Sequence, residues 1–215
     1  MPVYRDLMNY IYMLPAAFAA LVLHEWVKAK CSAGLGDPTP KYNKLLRGNP
    51  FSYIEPIGYI CAVIFGFGWG RPTPTSPLYY KDRKKGILIT YITPSIVNML
   101  TGVIAAVLAG LLNIVYANTY TGMHAALVFA FNGAIRIVSL YANCSIAISL
   151  FNLIPVPPLD SAKVLQAFLS PGASLKFTQN EKLLQLVLIL VIVTGIAGFV
   201  INPITSAIIS VVWSF

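Results

Sequence analysis

Long apolar runs separated by short polar loops make up most of this 215-residue chain. Several runs are long enough to cross a bilayer as a helix, because about 20 residues at 1.5 Å per residue cover its hydrocarbon core. Another apolar stretch, residues 53–69, is shorter and is interrupted by Pro56 and several glycines. The pattern predicts full spans at 7–28, 87–116, 139–158 and 183–200, and interfacial helices at 124–138 and 203–215.

Basic residues are concentrated in two of the loops, 28–47 and 71–85. Loops rich in Lys and Arg stay on the cytoplasmic side of a membrane. A full crossing by residues 53–69 would place these two loops on opposite sides. We therefore predict that 53–69 is a re-entrant or extended element, packed against the first span near His24, because non-helical backbone at membrane depth must be buried in protein or line a cavity. The loops expected to be cytoplasmic are 28–50 and 71–86.

Composition supports the same class of protein. Apolar residues make up 57% of the chain, charged residues 10%, and the mean hydropathy is +0.73, whereas soluble domains are about a quarter charged. We expect an all-α membrane protein, a polytopic helical bundle forming one membrane-embedded domain (1–215), with the re-entrant or extended element between the first two full spans. The net charge of +8 lies in loops between apolar runs, which favours contact with the lipid bilayer and argues against a nucleic-acid partner.

The stretch "LHEWVKA" places His24 and Glu25 near the cytoplasmic end of the first span. Ionisable residues inside spans are rare and usually mark a functional site. An interfacial cluster is the alternative, with Trp26 in the aromatic belt and Lys28 extending towards the headgroups. This segment alone leaves both interpretations open.

A second unusual stretch is "FNLIPVPPLDSAKVL", in which Asp160 follows a proline-rich break. Prolines such as Pro155 and Pro157 stop a helix and free backbone carbonyls, which is costly at membrane depth. Asp160 could cap a helix that starts at Ser161, or it could be an acidic ligand held beside His24. A cap alone would not explain the proline-rich approach.

Together these stretches resemble the site-2 protease family of intramembrane zinc metalloproteases, in its short bacterial form. The resemblance extends from about Leu7 to Leu169. The blocks that carry it, in chain order, are "LHEWVKA", "GLGDPTPKYNKLLRGNPFSYIEPIG", "FGWGRPTPTSP", "TPSIVNML" and "FNLIPVPPLDSAKVL".

The resemblance implies a role for each matching residue. His24 and Asp160 would bind Zn²⁺, and Glu25 would be the general base, taking a proton from a water whose pKa the metal lowers to about 7. The substrate or client would be a transmembrane protein segment, and the location the bacterial cytoplasmic membrane. Residues expected to shape the site or bind substrate are Lys28, Asn152, Pro155, Pro157 and Ser161.

One position departs from the family pattern: Lys28 stands where the second histidine ligand is expected. Residues four apart share a helix face, so Lys28 points to the ligand position, yet an ammonium has no lone pair for a metal. Cys31 is too far to replace it, since seven residues advance about 10 Å along a helix. His124 is predicted to lie on the other side of the membrane.

Several functions remain open from the sequence. We favour a homologue that has lost or impaired zinc-dependent proteolysis, a pseudoprotease in which Lys28 offsets the charges of Glu25 and Asp160 and which still binds transmembrane segments. Alternatives are an active zinc protease with a reduced ligand set, and a Lys28–Ser161 hydrolytic dyad. A non-enzymatic scaffold or small transporter is the remaining alternative.

Overall fold

The protein is a bundle of α-helices, as predicted. The computed structural model describes residues 2–214, with side chains from Leu7 onwards, and this part of the chain contains no β-strand. The helices are α1 (Pro2–Gly34), α2 (Thr39–Tyr42), α3 (Pro56–Phe65), α4 (Arg83–Thr119), α5 (Ala125–Phe151), α6 (Asp160–Phe168), α7 (Pro171–Gln179), α8 (Glu181–Val193) and α9 (Ile196–Trp213).

Membrane-spanning character belongs to α1, α4, α5 and α9. The segments long and apolar enough to cross a bilayer are Leu7–Gly34, Arg83–Gly122, Ala125–Phe151 and Ile196–Trp213. Such segments indicate an integral membrane protein, in agreement with the composition.

In the C-terminal half, the helix bounds differ from those expected. Residues 124–138, expected as an interfacial helix, mostly belong to the uninterrupted α5, which ends at Phe151 ahead of the prolines and not at 158. The expected span 183–200 is divided, because α8 ends at Val193 and Gly195 has a φ of 79°, a left-handed conformation that ends helices. Residues 203–215, also expected at the interface, lie largely within the apolar α9.

Helices α1, α4 and α5 form the centre of the bundle. Polar groups tie them together at depth: the Ser149 hydroxyl donates to the Ser95 carbonyl at 2.7 Å, and the Ser145 hydroxyl donates to the Asn98 carbonyl at 3.0 Å. The Asn98 amide donates to the Ala20 carbonyl of α1 at 3.2 Å. Hydrogen bonds between apolar helices fix their register where lipid offers no competing partner.

The stretch between α1 and α4 enters the bundle near Tyr53 and returns close to the same place near Arg71. Helix α3 has 10 residues, about 15 Å, which is half the thickness of a bilayer core. It ends at Phe65, the next residue is Gly66 with a φ of 86°, and residues 66–76 continue without regular secondary structure. The backbone N–H of Arg71 donates to the Tyr53 carbonyl at 2.8 Å. This return to the level of Tyr53 has the shape expected of a re-entrant element.

Candidate active site

Four ionisable side chains meet in the interior where α1, α6 and the extended segment 66–76 approach one another. His24, Glu25 and Lys28 lie on α1, and Asp160 is the first residue of α6. Each of the four is at most 3% exposed. Charged groups are rarely buried to this degree unless they are paired.

Lys28 bridges both carboxylates of this cluster. Its ammonium nitrogen lies 2.7 Å from Oε1 of Glu25 and 2.6 Å from Oδ1 of Asp160. The ring nitrogen Nε2 of His24 lies 3.0 Å from Oδ2 of Asp160. Because a carboxylate only accepts hydrogen bonds, His24 donates through Nε2. The four residues therefore form one connected network, which we call the Lys28 cluster.

The turn before α6 brings Asp160 to this position. Helix α5 stops at Phe151, and the proline-rich turn leads to Leu159, which is the residue that precedes α6. The N–H of Ser161 donates to the Asn152 carbonyl at 3.2 Å and closes the turn. Asp160 thus does not cap a helix starting at Ser161. Its carboxylate stands in the first turn of α6, where the helix dipole favours a negative charge.

The second oxygen of Glu25 is held by Thr73 of the extended segment. Oε2 of Glu25 accepts hydrogen bonds from the Thr73 hydroxyl at 2.8 Å and from the Thr73 N–H at 3.1 Å. The close approach requires Gly70, because a Cβ there would come within 2.5 Å of Cγ of Glu25. Thr73 was not among the residues predicted for the site, although its stretch "FGWGRPTPTSP" was.

The chain is similar in sequence to known proteins. The family model described as "Peptidase family M50" matches residues 7–195. The chain belongs to peptidase family M50. This is the site-2 protease family predicted from the motifs. The chain is 29% identical over 197 residues to "Putative zinc metalloprotease YwhC" of Bacillus subtilis (strain 168), a match covering 91% of this chain and 86% of that protein. No solved structure matches the chain.

Zinc is expected from membership of the M50 family, so the donor set can be tested against it. Ligand atoms of His24, Glu25 and Asp160 all lie within 4.8 Å of one another, a spacing that suits one ion. The Lys28 ammonium, however, contacts the two carboxylates and offers no lone pair. With Glu25 as the base, two protein ligands are left, and a catalytic zinc site commonly has three. The residues present do not fit a catalytic zinc centre.

The predicted site-shaping residues have different surroundings. The Asn152 side chain donates to the Ile148 carbonyl of its own helix, and the Asn152 carbonyl accepts from the Ser161 N–H. Pro157 is buried and Pro155 is exposed. Ser161 is half-buried, and among the described side chains the hydrogen-bond partners of the Lys28 ammonium are Glu25 and Asp160. This geometry gives no support to a Lys28–Ser161 dyad.

Neither residue considered as a substitute ligand joins the cluster. His124 is exposed and precedes α5, whereas the Asp160 turn follows the other end of that helix, about 40 Å away at 1.5 Å per residue. Cys31 lies on α1 and is absent from the group of neighbouring ligand atoms.

A second buried network holds the loop that follows α1. The Asp37 carboxylate accepts hydrogen bonds from the Ser32 hydroxyl at 2.6 Å, the Ser76 N–H at 2.7 Å and the Thr39 N–H at 2.9 Å. Burial raises the pKa of Asp37, but these hydrogen bonds to the charged form outweigh it and hold the pKa below its ordinary value. Through Ser76, Asp37 fixes the end of the segment that carries Thr73.

Proposed function

We propose that this chain is an M50 homologue in which the Lys28 ammonium takes the place of the metal ion, so that zinc-dependent proteolysis is lost or impaired. The observation that carries the proposal is the double contact of Lys28 with Glu25 and Asp160. The protein would retain the family's ability to bind a transmembrane segment of another protein, as a client and not as a rapidly cleaved substrate.

Charge balance supports this proposal. Glu25 and Asp160 bring two negative charges into the interior, and Lys28 supplies a positive charge at hydrogen-bond distance from both. A metal ion would have to displace the ammonium and break both of its ion pairs before it could bind the two carboxylates. The Lys28 side chain thus stabilises the two carboxylates without a metal ion.

A second candidate function is a zinc protease with a reduced ligand set. It is favoured by the spacing of His24, Glu25 and Asp160, whose ligand atoms lie within 4.8 Å of one another. In that case Lys28 would leave the cluster on metal binding. The two candidates differ in metal content, which is directly measurable.

Metal analysis of the purified protein tests the proposal. We expect well under about 0.1 zinc per chain in the wild type and close to one in Lys28→His, which restores three protein ligands. Lys30→His is the matched control, because Lys30 is an exposed neighbour on the same helix. Stoichiometric zinc in the wild type that disappears in His24→Ala would contradict the proposal and favour the second candidate.

The client proposal needs a separate readout. A labelled single-span test protein is reconstituted with the wild type or with Lys28→His, and both its retention and its cleavage are measured. We expect retention by both proteins and cleavage by Lys28→His alone, because the restored ligand set would hold zinc to supply the hydrolytic chemistry and Glu25 would act as the general base. Lack of retention by the wild type would contradict the client role. Flux of a small solute through wild-type vesicles would instead indicate a transporter.

A further inference from the structure

A cavity of about 340 Å³ lies where the beginning of α4 meets α6, α7 and the extended segment. Apolar atoms line one part of it, from residues that include Ile87 and Tyr91. Polar side chains line the rest, and they are Thr75, Arg83, Lys163, Gln166 and Ser174. Tyr91 separates this cavity from the Lys28 cluster, since its ring centroid is 5.8 Å from the Lys28 ammonium and its hydroxyl is 2.8 Å from that of Thr75.

The charges around this cavity have one sign. Arg83 comes from α4 and Lys163 from α6, and no acidic side chain is among the lining residues. Among the described side chains neither cation has a carboxylate within ion-pair distance. A smaller neighbouring cavity shares Lys163 and Gln166 but includes Glu181, so the larger cavity is the one suited to an anion.

The residues around the cavity also favour a position at the membrane surface. Arg83 opens α4, and Ile87 and Tyr91 follow one and two turns into this spanning helix. Helices α6 and α7 expose Leu165, Phe168 and Leu175, and Lys163 and Lys176 are exposed on the same two helices. Exposed apolar and basic side chains on short helices are typical of elements that lie in the headgroup region.

We propose that this cavity binds the phosphate group of an anionic phospholipid. A guanidinium such as Arg83 matches two phosphate oxygens at once, a lysine adds a point charge, and the Thr75 and Ser174 hydroxyls are further donors. Ile87 and Tyr91 make part of the lining apolar, which suits the start of the acyl chains. Neither membership of the family nor the Lys28 cluster requires such a site, so the proposal is independent of the proposed function.

The occupant would contact the helix that carries Asp160. Lys163 and Gln166 follow Asp160 by one and two turns on α6, and the Gln166 amide donates to the Thr178 hydroxyl of α7 at 2.6 Å. A phosphate held between Arg83 and Lys163 would join α4 to α6 through charge.

Lipid retention by the full-length protein tests the proposal. The protein is exchanged from detergent into nanodiscs of phosphatidylcholine with a small fraction of labelled phosphatidylglycerol, and retained label is measured after re-extraction. The double variant Arg83→Gln/Lys163→Gln should retain about tenfold less phosphatidylglycerol, given the strength of charge-assisted contacts. The control Lys176→Gln/Lys182→Gln removes the same charge outside the cavity and should retain as much as the wild type.

Two outcomes would overturn the proposal: no preference for phosphatidylglycerol over phosphatidylcholine, or an equal loss in both double variants, which would mean a diffuse effect of surface charge. Single variants and melting curves guard against misfolding of the double variant.

Competition by inorganic phosphate is a second experiment. Competition by millimolar phosphate in the wild type, absent from Arg83→Gln, would show that the group itself is recognised. Retention of the lipid without such competition would show that the acyl part is required.

Discussion

The ammonium nitrogen of Lys28 lies 2.6 Å from Oδ1 of Asp160, which joins residues 132 positions apart in the chain. The pair connects the first long helix to the turn at the start of α6. Since Lys28 also contacts Glu25, and Glu25 contacts Thr73, a single cation holds together three segments of the bundle.

Replacing Lys28 by methionine leaves Glu25 and Asp160 buried without their cation. We expect a loss of about 3–5 kcal/mol in the free energy of unfolding, the usual cost of leaving a buried charge unpaired. Thermal unfolding in detergent measures it. Lys30→Met is the control, because Lys30 is exposed on the same helix and should unfold close to the wild-type temperature. An unfolding temperature unchanged in Lys28→Met would mean that the ion pairs do not form.

Thr73→Val removes the hydroxyl that donates to Oε2 of Glu25 at 2.8 Å and keeps the side-chain volume. A hydrogen bond to a charged group contributes about 1.5–3 kcal/mol, and a loss in this range is expected. Limited proteolysis should also cut the segment 66–76 faster in this variant. Thr73→Ser keeps the hydroxyl and should behave like the wild type in both assays. Equal effects of the two substitutions would indicate that the methyl group, not the hydrogen bond, is what matters.

Gly68 allows the extended segment to lie directly on α3. A Cβ on Gly68 would be 2.0 Å from the Gly58 carbonyl oxygen, which is impossible without a shift of the backbone. Gly68→Ala should therefore lower the free energy of unfolding by about 1–3 kcal/mol or more, as overpacking usually does. Gly172→Ala is the matched control, because nothing lies within 4 Å of its Cβ position and alanine favours the α7 helix. The two substitutions should shift the melting temperature in opposite directions.

Asp37 should give the stability a dependence on acid pH. Its pKa is lower in the folded protein than its ordinary value, near 4, so the carboxylate stabilises the fold above that value. This contribution is lost as the pH falls through the lower, folded pKa. The gap in melting temperature between wild type and Asp37→Asn should be constant from about pH 7 to 5 and narrow below about pH 4. Ser32→Ala removes one of the hydrogen bonds to Asp37, so in a Ser32→Ala background the effect of Asp37→Asn on the melting temperature should be smaller. A difference in melting temperature that widens with acid would contradict the assignment.

Much of the helical architecture follows from apolar patterning, because a helix crossing lipid must be apolar along its length. Helix ends depend on single residues, whose effect is lost when hydropathy is averaged over a whole span. The prolines after Phe151 and the left-handed Gly195 set boundaries in the C-terminal half, and the expected spans there ran across both. A window average does not register the conformation of one residue.

Parts of the site could be predicted from the sequence, for different reasons. His24 and Lys28 are four residues apart on one helix, so their shared face follows from the helical period. The approach of Asp160 was expected only from the family resemblance, since no local pattern spans the distance to α6. Thr73 lies in a segment without regular structure, which has no period from which its direction could be inferred. The resemblance of its stretch to a family motif was the signal available.

The positive charge at the centre of the Lys28 cluster is covalently attached to the chain that needs it. A bound ion must be supplied, can be removed by chelators and can be exchanged for a competing ion. A lysine side chain arrives with every copy synthesised, in a ratio of one to one, and is in place as soon as α1 and α6 pack. In the proposed zinc-free form, the contact between these helices does not depend on the metal supply of the cell.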